Sequence, residues 1–197
     1  MGNTRLAADV ERLAESLGQL PEPAAEPALI VVSGLPGTGK SYLSGKLAER
    51  LPFAILESDS LRRVLFQPPT YSSAESSRLF RVIHSLIERL MREGISLILD
   101  ATNLSEQHRE YLYSIADRLG VRLILVRVKA PPELVCQRLE RRLEGSGSKS
   151  DADWVVYQKM KSEAQKIRRQ HYTVDTSRDI TPFLDKIVKE IGDKVQI

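Results

Sequence analysis

Leu29-Ile30-Val31-Val32, followed after Ser33 by Gly34-Leu35-Pro36-Gly37-Thr38-Gly39-Lys40-Ser41, is the segment on which the fold turns. Four consecutive apolar residues suit a strand covered on both faces, as the inner strands of parallel sheets are. The next eight residues match a glycine-rich turn between strand and helix, whose backbone N–H groups point inward around phosphate oxygens. The helix after it adds its positive end. Lys40 is spaced to reach β- and γ-phosphates, and Ser41 to place its hydroxyl on Mg²⁺. A Gly-rich turn carrying a surface lysine is the competing reading, and the strand before and helix after weigh against it. Gly34 to Ser41, together with Tyr42, form the candidate nucleotide-binding set.

Working outward, apolar runs predict further strands over 54–56, 95–99, 121–128 and 172–174. Helical spacing and breakers predict helices near 40–50, 74–92, 105–119, 131–143 and 182–191, with another over about 150–170 opened by a Ser150/Asp153 capping box. Residues 57–63 read as a charged and polar stretch. Strands alternating with helices imply a three-layer α/β domain with an open, mostly parallel sheet. In such sheets functional residues lie beyond the carboxyl ends of the strands. Gly34–Ser41, Glu57–Arg62, Asp100–Asn103 and Asp175–Arg178 all follow a predicted strand.

Ahead of this domain, Leu6, Val10, Leu13 and Leu17 are spaced as one face of an amphipathic helix. Gly18 and Pro21 end it, and residues 21–27 hold three prolines, a linker. The expected organisation is a helix and linker over 1–27 and a main domain over 28–197 with a lid near 138–152. The helix is expected to pack on the main domain, a partner contact being the alternative.

The chain has 197 residues, 42% of them hydrophobic and 28% charged, enough for one α/β domain with its own core. A net charge of +3 permits a phosphorylated partner without demanding one. One cysteine, Cys136, rules out an internal disulfide framework and a cysteine-rich metal site, and it reads as a small buried hydrophobe. No run approaches the ~20 apolar residues that span a bilayer, and charges interrupt residues 1–20, so a cytoplasmic, membrane-free protein is expected.

Candidate chemistry follows from position. Asp100, ending the third strand, can hold the Mg²⁺ shell with Ser41. Ala101 follows it where many nucleotide hydrolases place a water-activating glutamate. Asp59, after the second strand, can accept the proton of an attacking hydroxyl, with a helix N-cap as its other reading. Glu57 is a rival base. Arg62, three residues beyond Asp59, can bind a phosphate or other acceptor on the substrate. Arg138, Arg141 and Arg142 precede a Gly/Ser hinge and can close over a triphosphate; Glu140 and Glu144 offer the alternative of surface pairing. Arg178 or Ser177 can line the adenine edge, Arg109 can reach a phosphate or acceptor, and Asn103 can do so or cap a helix. Tyr71, with Thr70 and Ser72, can line the acceptor site. His84, His108 and His171 read as separate surface or turn residues without metal-ligand spacing.

Taken together, the Gly34–Ser41 loop, Asp59 with Arg62, Asp100-Ala101-Thr102-Asn103 and the arginines from Arg138 to Arg142 resemble the zeta-toxin and polynucleotide-kinase branch of small P-loop kinases. Chloramphenicol phosphotransferase is similar to the same degree. The resemblance covers roughly 28–192. It implies a P-loop nucleoside triphosphate hydrolase fold with five strands in the order 2-3-1-4-5 and a helical lid. It implies ATP and Mg²⁺, with Asp59 as general base, Arg62 on an acceptor-side phosphate, and Arg138 or Arg142 on ATP. The favoured acceptor is a polynucleotide or nucleoside 5′-hydroxyl. A small antibiotic or sugar-like alcohol is the alternative. A nucleotide-dependent ATPase switch whose first helix binds a partner protein is the third reading. The thin positive charge and few aromatics are the departures from a nucleic-acid enzyme.

Overall fold

The structure is a computed structural model, and it describes residues 2–103, 105–144 and 153–192. Its elements are α1 Gly2–Ser16, β1 Ala28–Ser33, α2 Lys40–Ala48, β2 Ala54–Glu57, α3 Ser58–Leu65, α4 Ser73–Arg92 and β3 Leu97–Asp100. They continue with α5 Glu106–Leu119, β4 Arg122–Lys129, α6 Pro132–Glu144, α7 Trp154–Glu163, β5 Tyr172–Asp175 and α8 Thr181–Gly192. The five strands form one parallel sheet in the order β2-β3-β1-β4-β5, the order expected.

Side chains alternate across a strand, so the continuous apolar run of β1 feeds two cores. Leu29 and Val31 join Leu97, Leu99 and Leu125 beneath α3, α4 and α5. Ile30 and Val32 join Ile98, Ile124 and Val126 beneath α2 and α8. Leu79, Ile83, Leu86 and Ile87, one face of α4, are each fully buried in the first core, at about 2 kcal/mol apiece in area removed from water. A third, small cluster of Val135, Leu139 and Tyr157 joins α6 to α7 and packs on Leu35 of the glycine-rich turn.

The first helix packs on the domain. Val10 and Leu13 enter the first core, and Asp9 forms a two-pronged ion pair with Arg78 of α4 at 2.8 and 2.7 Å.

Register brings the candidate segments to one edge. Val32 pairs with Asp100, and Glu57 pairs with Asp100 from the other side. The turn after β1, the start of α3 and the end of β3 therefore lie side by side.

Within the charged and polar stretch, Ser58–Leu65 form a helix, α3, starting directly from β2, with Leu61 and Leu65 inward. Three expectations need correction. The helix expected over 150–170 is shorter: α7 ends at Glu163, and Ala164 turns to extended backbone. Asp153 is itself its N-cap, accepting from Val156 N at 2.8 Å; Ser150 and the rest of 145–152, much of the expected lid, lie outside the described residues. Cys136 is half-buried, not buried, its thiol donating to Glu140 at 3.4 Å one turn along α6. His84 and His108 are not separate: they meet between α4 and α5. His84 stacks on Tyr111 at 5.3 Å, and Phe80 stands edge-on to His108 at 4.8 Å. Both histidines are held below their ordinary pKa by burial, His84 at about 4.

Candidate active site

The turn from Gly34 to Gly39 closes on itself. Thr38 Oγ1 and Lys40 Nζ both donate to the Leu35 carbonyl, at 2.7 and 3.1 Å. Gly39, the N-cap of α2, sits at φ +92°, and a Cβ there would stand 2.9 Å from Thr176 Oγ1. Only glycine meets both the left-handed backbone and that approach. At Gly34 a Cβ would lie 2.6 Å from the Val128 carbonyl. Thr176, at the end of β5, braces the loop by donating to the Thr38 carbonyl at 2.7 Å.

Lys40, Asp59 and Asp100 share this site electrostatically. Burial pushes the Lys40 ammonium down, against the pull of Asp100 and Asp59. Burial likewise pushes both carboxyls up, against the field of Lys40, and a hydrogen bond from Ser41 adds to the opposing pull on Asp100. Asp100 Oδ2 is buried and has no hydrogen-bond partner. A buried carboxylate oxygen left open beside a serine hydroxyl fits Mg²⁺, which keeps waters and substrate phosphates as its other ligands. Among the described residues no group of three His, Cys, Asp or Glu is arranged to hold a metal.

Two cavities meet at the loop. One, of about 790 Å³, runs beside α2 and α8 and is lined by Tyr42, Arg50, Arg138, Arg178 and Ile180 among others. The other, of about 720 Å³, is lined by Lys40, Ser41, Asp59, Arg62 and Asp100, with Tyr71 and Phe80 on one side and Val156 and Met160 of α7 on another. Gly37, Gly39 and Arg142 line both.

The arginines expected in the site separate by role. Arg138 spends its guanidinium on the loop, donating to Thr176 Oγ1 at 2.9 Å, to the Thr176 carbonyl at 3.1 Å and to the Gly37 carbonyl at 3.3 Å. Arg142 faces the junction of the cavities and depresses Lys40 by its charge. Arg141 lines the first cavity only. Arg62 is buried in an ion pair with Glu75 at 2.5 Å, donates to Ser76 at 3.2 Å, and lies under the Tyr71 ring at 4.8 Å.

Arg109 does not reach the site. It is 1% exposed and donates to Glu106 and to the carbonyls of Asn103, Gln165 and Lys166; it anchors the chain after α7. Asn103 is buried at φ +47° with its side-chain amide unpartnered, and Ser105, not Asn103, is the N-cap of α5. Ser177 is tied to Asp175 by its N–H and hydroxyl. His171 is exposed in its contact with the Arg169 carbonyl.

Sequence reasoning placed Thr176 in the Asp175–Arg178 segment without giving it a role, and missed Glu75, Phe80 and the α7 wall. Glu75 had a visible signal. Ser72 precedes it by three, and the Ser72 hydroxyl does accept from Glu75 N. The Glu75 carboxylate accepts in turn from Thr70 N, Thr70 Oγ1, Tyr71 N and Arg62. Burial would raise its pKa, but these donors hold it at about 2.

Comparison with known proteins places this architecture. Among solved structures, the APS kinase of Mycobacterium tuberculosis in complex with AMPPNP and APS aligns at TM-score 0.64 and 17% identity, over 88% of this chain and 100% of that one. A gluconokinase from Sinorhizobium meliloti aligns at 0.62 and 15%, over 87% and 97%. At such identities the likeness shows the fold, that of P-loop kinases as a group. It does not single out the zeta-toxin and polynucleotide-kinase branch. Among curated proteins, 6-phosphofructo-2-kinase/fructose-2,6-bisphosphatase 1 of Rattus norvegicus is 24% identical over 153 residues, 68% of this chain. The chain spans only 32% of that relative's length. No described helix is long and apolar enough to cross a membrane. The AAA domain family model matches residues 29–167, most of the chain and all of the strands around the loop but the last, and the protein belongs to that family.

Proposed function

We propose that the protein is an ATP-dependent kinase that transfers the γ-phosphoryl group to a hydroxyl on a small molecule. The observation that carries this is the pair of cavities meeting at Gly37, Gly39 and Arg142. One is placed for the nucleoside of ATP, near Tyr42 and Arg178. The other holds Asp59 beyond the phosphates and is walled by α7, a compartment suited to a small acceptor rather than to a strand of nucleic acid.

In this reading the acceptor hydroxyl sits beside Asp59. As its oxygen bonds to the γ-phosphorus, the bond from that phosphorus to the β–γ bridging oxygen breaks, and ADP leaves with the electron pair. Asp59 takes the hydroxyl proton; burial makes it a better proton acceptor than an exposed carboxylate. Lys40 and Arg142 offset charge on the transferring group and the leaving oxygen. Ser41 and Asp100 would hold Mg²⁺ from the protein side, and the ion would supply neutralisation of phosphate charge. The α7 wall ranks the 5′-hydroxyl polynucleotide below a small molecule, and the Glu75 pair occupies the Arg62 charge that such an acceptor's phosphate would use.

The test supplies γ-labelled ATP and Mg²⁺ with sugars, sugar acids, nucleosides, amino alcohols and short 5′-hydroxyl oligonucleotides. A labelled small molecule is expected, with transfer about 10²–10⁴-fold slower in Asp59→Asn and ATP affinity nearly unchanged. Label on oligonucleotides alone, or ATP hydrolysis without any phosphorylated product, overturns the proposal.

A further inference from the structure

We infer that the acceptor is an uncharged hydroxyl compound with an apolar portion, and that Met160 and Val156 of α7 face that portion; the inference rests on the kinase reading above for which cavity is the acceptor's. A phosphorylated or carboxylated acceptor needs an uncommitted cation near its reacting hydroxyl. The second cavity has four cations on its lining. Lys40 and Arg142 sit at the phosphate loop, where the triphosphate's own charge occupies them. Arg62 is committed to Glu75 at 2.5 Å, with both side chains below 10% exposed, and its second terminal nitrogen goes to Ser76. Lys159 remains, on α7, but Glu163 follows it by four residues, on the same helix face and the same cavity wall. Against these stand Glu57 and Asp59, both on the lining. Once Asp100 is assigned to the metal side, the acceptor end of the cavity offers no net positive charge.

The rest of the wall has a hydroxyl part, with Ser58, Ser73 and Thr102, and an apolar and aromatic part. Val156 and Met160 are four apart and project together from α7; Phe80 comes from α4 and Tyr71 from the loop before it. Tyr71 is held at φ +54° by the hydrogen bond from its N–H to Glu75, and its ring rests on the Arg62 guanidinium. A non-glycine residue is strained there, so the Glu75 network that removes the Arg62 charge also fixes an aromatic wall. A hydroxyl compound with an aryl or alkyl part matches this lining. A bare polyol leaves Met160, Val156 and Phe80 against water.

The test measures binding by calorimetry to protein saturated with a non-hydrolysable ATP analogue and Mg²⁺. The probes are aryl glycosides and aryl diols, each beside its parent without the aryl group and its own monophosphate; phenyl glucoside, glucose and phenyl glucoside 6-phosphate form one such trio. The uncharged aryl compound is expected to bind roughly tenfold or more tightly than either companion. Met160→Glu should abolish the advantage of the aryl group, and Met160→Leu should keep it. Equal or tighter binding of the monophosphates, no advantage from the aryl group, or no binding of any uncharged probe overturns the inference. The same probes are then given labelled ATP. Aryl probes that bind with the expected preference but are never phosphorylated uphold the assignment of the cavity and overturn the kinase reading instead.

Discussion

Glu75→Gln tests how the acceptor wall is held together. The carboxylate accepts four hydrogen bonds, one from a buried guanidinium, and is held at about 2 against an ordinary 4.5. At 1.36 kcal/mol per pKa unit this corresponds to about 3 kcal/mol of stability. The folded pKa is depressed, so the contribution is present above pH 4.5 and is lost as pH falls toward 2. Glutamine keeps the shape but removes the charge, and its NH₂ must face a donor on one side. Losing one partner of a buried pair costs about 3–5 kcal/mol because the other charge is left uncompensated. Urea denaturation at pH 7 should show a loss of about 3 kcal/mol. Arg62→Met should cost less than Glu75→Gln, and the double variant should cost less than the two single losses added. The argument is refuted if Glu75→Gln loses under 1 kcal/mol at pH 7, or if the two substitutions add without coupling.

Three further outcomes follow from the same geometry. Gly39→Ala should abolish nucleotide binding, because φ +92° and the approach of Thr176 cannot both be kept; calorimetry with ADP checks it, and retained affinity refutes the steric account. Arg142→Ala should lower kcat by at least tenfold with a small change in KM for ATP, whereas Arg138→Ala, which loosens the loop itself, should raise that KM; steady-state kinetics with the acceptor saturating separates them, and the reverse pattern would exchange their roles. His84, held at about 4 against 6.5 by burial first and His108 second, stays neutral in the folded chain while the unfolded chain takes up a proton. Stability should therefore fall as pH drops from 6.5 toward 4, by about 2 kcal/mol between pH 7 and pH 5. His84→Gln should flatten that slope in denaturation curves, and an unchanged slope would remove His84 as its source.

What could be read along the chain was local and periodic. Leu29–Val32 announced a doubly covered strand because a parallel inner strand must be apolar on both faces, and Gly34–Ser41 announced the loop because few other residues permit its backbone. Strands alternating with helices announced an open parallel sheet, and the resemblance to P-loop kinases supplied its order, β2-β3-β1-β4-β5. Asp59 and Asp100 could be named as candidates because each lies at or just beyond a strand's carboxyl end, whereas Arg138, Arg141 and Arg142 could be named only as a group.

The tertiary structure decided everything that depends on which partner a charge finds. Arg62 and Arg109 read alike in the sequence, as arginines one turn beyond a functional strand end. One is paired with a glutamate thirteen residues later, and the other with carbonyls more than fifty residues away. His84 and His108, twenty-four apart in the chain, meet edge to face only because α4 and α5 lie side by side. The wall contributed by Val156 and Met160 was hidden for the same reason, since α7 carries no motif and acquires meaning only where it packs over the loop through Tyr157 and Leu35. Helical and strand periods are set within a few residues, whereas the partner of a buried charge is set by distance in space. The first can be read along the chain, and the second exists only once the chain has folded.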